Sequence, residues 1–127
     1  MGEQMSNIGK IEWIDLTVDD AEEVREFYQT VTGWKADAFD MGDYNDYNMN
    51  SENGEIAAGI CHARGGNASI PSMWIPYISV ANLDASLKAV SDKGGELVNG
   101  PRSMPQGKYA IIKDPAGAHC ALWQKQD

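Results

Sequence analysis

Apolar and polar residues alternate from Ile11 to Val18, with Ile14, Leu16 and Val18 on one side and Trp13, Asp15 and Thr17 on the other. A period of two predicts a half-buried strand. The period then lengthens: Ala21, Val24, Phe27, Tyr28 and Val31 recur at helical spacing. Asp19 or Asp20 supplies an N-cap, Glu22 and Glu23 occupy the first turn where the helix dipole favours them, and Gly33 ends the run. Short strands are expected over residues 34–38, 44–49 and 55–62, the last two joined by a turn at Ser51-Glu52-Asn53-Gly54. Residues 63–72, with Gly65-Gly66 and Pro71, have the chemistry of a linker.

The same order then recurs. A strand over 73–80 leads to Asn82 as N-cap, a helix carrying Leu83, Leu87 and Val90, and a stop at Gly94-Gly95. A short strand at 96–98, a loop from Gly100-Pro101 to Gly107, and strands at 109–113 and 119–124 complete the chain. Asp114-Pro115-Ala116-Gly117 suits a type I turn between the last two. Val18 and Val80, Asp20 and Asn82, and Gly33 and Gly95 share one offset of 62 residues. The prediction is a single α+β domain over residues 1–127. Two βαβββ modules, at about 10–62 and 73–125, would form a curved mixed sheet around a central cavity.

Composition narrows the partners. The chain has 127 residues, 43% of them hydrophobic, enough for a core of its own. A net charge of −9 argues against nucleic acid, which needs clustered Lys and Arg, and is compatible with a cationic ligand. No run reaches the roughly 18–20 apolar residues that span a bilayer, and no basic-then-apolar leader opens the chain. Gly2 with Ser6 satisfies the permissive myristoylation pattern, but no polybasic second anchor follows. Cys61 and Cys120, each inside an apolar strand pattern, read as small buried residues of a reducing cytoplasm.

Phe27-Tyr28, Gly33-Trp34, Gly94-Gly95 and the closing run from Asp114-Pro115-Ala116-Gly117 to Trp123, in their doubled spacing, resemble the vicinal oxygen chelate superfamily. That group includes glyoxalase I, extradiol dioxygenases, bleomycin- and fosfomycin-resistance proteins and methylmalonyl-CoA epimerase. The resemblance covers roughly residues 10–125 and implies a homodimer. In metal-dependent members the ligands are His or Gln on each module's first strand and Glu on its last. Carried onto this chain, those positions fall on Trp13, Ile75, Ala121 and a residue within 57–61. Trp, Ile and Ala cannot bind such a cation through their side chains. The resemblance therefore implies a branch with no metal ligands and no cofactor.

Alternation also proposes a pocket lining. With Ile14, Leu16 and Val18 turned toward the first helix, Trp13, Asp15 and Thr17 face the cavity. With Ile78 and Val80 toward the second helix, Ile75, Tyr77 and Ser79 face it too, as do His119, Ala121 and Trp123 on the last strand. Trp13, Thr17, Ile75, Tyr77, Ser79 and Trp123 are the expected ligand-binding residues, mostly aromatic and apolar as small-molecule sites are. Asp15 in mid-strand is either a general base, with His119 as acid–base partner, or a carboxylate satisfying the interior. No nucleophile elbow, phosphate loop or Cys-x-x-Cys occurs. Two functions follow: a metal-free protein sequestering a small organic drug or metabolite, or a metal-independent lyase or isomerase using Asp15. A metal-dependent glyoxalase or dioxygenase is disfavoured by the ligand positions.

Overall fold

The structure, a computed structural model, describes residues 6–126. Gly2 of the myristoylation pattern lies outside the described residues. The elements follow the order βαβββ twice: β1 (Ile11–Val18), α1 (Ala21–Thr32), β2 (Lys35–Asp40), β3 (Asn45–Asn50), β4 (Ile56–His62), then β5 (Trp74–Ser79), α2 (Leu83–Asp92), β6 (Glu96–Met104), β7 (Gly107–Lys113) and β8 (His119–Lys125). The α+β class holds. Two compact units divide the chain, residues 13–74 and residues 6–12 with 75–126. No helix among the described residues is long and apolar enough to cross a membrane.

In residues 13–74 the strand order is β2-β3-β4-β1, with β1 parallel to β4 and the other pairs antiparallel. Asp20 caps α1, its Oδ1 accepting from Glu23 N at 3.0 Å. Gly33 closes the helix at φ 81°, a left-handed conformation that glycine adopts without a Cβ clash, and donates to Gln29 O. The apolar stripe of α1 then has one place to go. Leu16, Ala21, Tyr47, Met49 and Ile60 are buried together, flanked by Val24, Tyr28, Trp34 and Trp74. Full burial of a side chain such as Ile60 contributes about 1.5–3 kcal/mol. The Trp74 indole N–H donates to the Tyr28 hydroxyl at 3.1 Å, so the polar ends of this aromatic cluster satisfy each other.

In the second unit the order is β5-β8-β7-β6, with β5 parallel to β8. Leu83, Ala110, Ile112 and Leu122 form its core, with Ile78, Val80, Leu87, Val90 and Cys120 against them. Asn82 caps α2 through Ala85 N, and Gln124 Oε1 on β8 accepts from Leu83 N at 2.7 Å. Strand and helix are thus tied where β8 passes the start of α2.

One segment departs from the pattern. Of the loop expected from Gly100-Pro101 to Gly107, residues 100–104 belong to β6, which runs nine residues and turns into β7 through Pro105-Gln106, and Gly107 opens β7. Pairing is irregular between Leu97 and Arg102, where Gly100-Pro101 bulges. β6 pairs only with β7 in this unit, so Pro101 lacks an N–H where a central strand would need one and an edge strand does not.

Candidate functional site

Each unit has one face covered by its helix and one without a helix. Because Leu16 and Val18 pack toward α1, strand alternation turns Trp13, Asp15 and Thr17 to the opposite, helix-free face. Pairing sets their neighbours: Asp15 lies opposite Gly59 and Thr17 opposite Cys61. Gly59 has no side chain, and the freed space is taken by two groups. A Cβ there would overlap Asp15 Oδ1 and stand 2.9 Å from Trp13 Cζ2. The half-buried Asp15 carboxylate and the Trp13 indole therefore converge above one glycine.

The Cys61 thiol donates to Asp15 Oδ1 at 3.9 Å. Burial first, and then the carboxylates of Asp15 and Asp46, push this thiol far above its ordinary range. It stays a protonated donor, not the thiolate that nucleophilic attack or metal binding requires. Asp46, itself buried, accepts from His62 N at 2.8 Å, and its Oδ1 lies 3.5 Å from His62 Nδ1. His62 Nδ1 is also 2.9 Å from Asn45 O. Both cysteines are free thiols, and burial followed by Asp114 raises the Cys120 pKa as well.

On the second unit Ile78, Val80, Cys120 and Leu122 pack with α2, so Ile75, Tyr77, Ser79, His119, Ala121 and Trp123 fall on its helix-free face. Tyr77 pairs with Ala121 and Ser79 with Trp123. The Tyr77 and Tyr109 rings lie 5.7 Å apart. The Trp123 indole reaches over Gly107, where a Cβ would meet Cη2 at 2.9 Å. Ile75 and Ser79 are closed off, 2% and 7% exposed, and Thr17 on the first unit is 5% exposed. Tyr77, His119 and Trp123 are half-buried.

The residues expected from sequence thus fall into two groups. Trp13, Asp15 and Thr17 share the face of residues 13–74, where the Cys61 thiol reaches Asp15. Ile75, Tyr77, Ser79, His119 and Trp123 share the face of the other unit, where Ser79 Oγ donates to Glu12 Oε1 at 2.5 Å. Sequence reasoning missed Gly59, Cys61 and Glu12 as members of these groups. The first two were hidden because a parallel pairing between strands about 45 residues apart has no local signal.

The family's metal does not fit this donor set. Trp13, Ile75 and Ala121 stand at the positions that the resemblance assigns to its ligands, and residues 57–61 offer only the Cys61 thiol, whose pKa is raised by burial and by Asp15 and Asp46. Among the described residues no three His, Cys, Asp or Glu side chains gather closely enough to share an ion.

Comparison with known proteins agrees with the fold and extends it to a family. The chain is 32% identical over 119 residues to a candidate glyoxylase, CFP32, of Mycobacterium tuberculosis, covering 91% of this chain and 46% of that protein. It is 29% identical over 126 residues to the anthracycline biosynthesis protein DnrV of Streptomyces peucetius, covering 89% of this chain and 46% of that one. The chain therefore spans about half the length of the curated relatives it matches. A glyoxalase/bleomycin resistance protein/dioxygenase superfamily member from Vibrio splendidus superposes with a TM-score of 0.58 at 12% identity, over 89% of this chain and 97% of that one. The model of the Glyoxalase/Bleomycin resistance protein/Dioxygenase superfamily matches residues 10–122, nearly the whole length. With that match, and with the βαβββ order found in both halves, the chain belongs to this superfamily.

Proposed function

We propose that this member binds a small organic molecule, aromatic and cationic, without a metal, and sequesters a drug or metabolite. The observation that carries the reading is the convergence of the Asp15 carboxylate and the Trp13 indole above Gly59. A cation seated there gains the ring face, worth about 0.5–2 kcal/mol, and a charge-assisted hydrogen bond worth about 1.5–3 kcal/mol. Their sum, roughly 2–5 kcal/mol, is of the size that separates millimolar from micromolar binding. The net charge of −9 raises the local concentration of cations around the protein. Thr17 extends the same face. On the second unit the half-buried Tyr77 and Trp123 offer aromatic surface suited to a planar ligand, with Ile75 and Ser79 closed off behind them. Similarity to a protein named for anthracycline biosynthesis supports a planar aromatic ligand class. A thermal-shift series with bleomycin, an anthracycline and simple cationic aromatics tests the reading. A rise in melting temperature with at least one compound is expected, and none with any of them refutes it.

A second reading follows from the half-buried setting of Asp15 beside a protonated thiol. In it the protein is a metal-independent lyase or isomerase, with Asp15 as the acid–base group. Asp15→Asn then abolishes turnover while leaving the unfolding transition intact; turnover that survives the substitution removes this reading. Pairing of two chains, which the resemblance implies, would bring the assembly to the length of the curated relatives, and light scattering distinguishes one chain from two.

A further inference from the structure

The carboxyl ends of the parallel strands β5 and β8 meet at Ser79 and Gln124-Lys125, just before α2 begins. Here the chain ahead of β1 is stitched onto them: Gly9 N donates to Ser79 O at 2.7 Å, and Ser79 N donates to Lys10 O at 2.9 Å. Together they enclose a cleft of about 250 Å³, lined by Asn7, Ile8, Glu12, Ser79, Gln124 and Lys125 among others.

Charge and hydrogen bonding in the cleft are not self-satisfied. Ser79 Oγ donates to one Glu12 oxygen, which fixes the carboxylate and leaves its second oxygen to accept. The Leu83 N–H occupies Gln124 Oε1, so the amide nitrogen of Gln124 is oriented as a donor. Among the described residues no carboxylate pairs with Lys125. One fixed anion, one cation that no carboxylate among the described residues engages and the oriented Gln124 amide thus line the same small space, with Ile8 as its apolar contact. The volume falls below the roughly 300–1,000 Å³ of drug-sized pockets, which excludes a polycyclic ligand.

We infer that this cleft binds a small zwitterion of the amino-acid type, its ammonium group on Glu12 and its carboxylate on Lys125 and the Gln124 amide. The site is separate in chemistry from the aromatic, cation-selecting face around Asp15 and does not depend on that reading.

Titration of ¹⁵N-labelled protein with each of the twenty free amino acids, followed by amide chemical shifts, tests it. Saturable shifts at Ser79, Val80, Ala81, Gln124 and Lys125 are expected with at least one of them. Lys125→Ala, which removes no bond of the fold, is expected to weaken that binding at least tenfold, as is methyl esterification of the amino acid. Glu12→Gln tests the ammonium contact in the same way; if it fails to fold, Lys125→Ala alone decides. Absence of saturable shifts with all twenty, or binding unchanged by Lys125→Ala, overturns the inference.

Discussion

Gly59→Ala is the sharpest probe of the Asp15 and Trp13 arrangement. In an ordinary strand position this change stabilises, by about 0.4–1 kcal/mol, because alanine restricts the unfolded chain. Gly59 has no positive φ to make alanine strained, so backbone conformation alone predicts a gain. The neighbours predict the opposite. The new Cβ overlaps Asp15 Oδ1 and stands 2.9 Å from Trp13 Cζ2, so both a carboxylate and a rigid ring must shift. Overpacking of this kind costs about 1–3 kcal/mol, which outweighs the backbone gain over nearly all of its range and leaves a net loss of up to roughly 2.6 kcal/mol, centred at about 1.3. For a chain of this length that loss lowers the melting temperature by about 4–8 °C. Urea unfolding followed by tryptophan fluorescence measures it, and the Trp13 environment should change in the native baseline. A variant as stable as the parent, or more stable, with unchanged fluorescence would mean that these groups do not meet above Gly59.

Other outcomes follow from the same structure. The folded pKa of Cys61 is raised above its ordinary value of 9.0, so below pH 9 its contribution is constant. Above that pH the unfolded thiol releases a proton that the folded one keeps, and stability falls by about 1.4 kcal/mol per pH unit. Comparing urea midpoints at pH 7–10 for the parent and Cys61→Ala isolates this slope, which the variant should lack. In Cys120→Ala, where Cys61 is the one remaining thiol, Ellman's reagent at pH 8 should label the protein only after unfolding; rapid labelling of the native variant would contradict the burial of Cys61 beside two carboxylates. Asn82→Ala removes the N-cap of α2 and should cost about 1 kcal/mol, or about 4 °C in melting temperature. An unchanged midpoint would show that Gln124 holds the helix start by itself.

Much of this architecture is written in local patterns. The switch from a period of two to helical spacing at Asp20, and again at Asn82, locates both strand-to-helix units, and both caps act through the residues expected. The helix-facing sides are equally legible, with Leu16, Val18, Ile78, Val80, Cys120 and Leu122 packed as their alternation requires. The strand character of residues 100–104 was not legible, because Gly100-Pro101 reads as a breaker in any local window and only its place on β6 makes it tolerable as strand. The first candidate site was half legible. Trp13 and Asp15 stand out along β1, but the glycine that lets them converge and the thiol that reaches Asp15 depend on the register with β4. No period along the chain encodes that register. The contact between Glu12 and Ser79 is hidden for the same reason, since 67 residues separate the two.

The claim that a carboxylate and an indole above Gly59 select a cationic aromatic ligand is tested most directly by calorimetric titration. Bleomycin and an anthracycline would each be titrated into the parent protein and into Asp15→Asn, at low salt and without added metal. The prediction is saturable binding of at least one compound to the parent, weakened at least tenfold by Asp15→Asn while the variant's unfolding transition is retained. No binding to the parent, or equal affinity for both proteins, would contradict it.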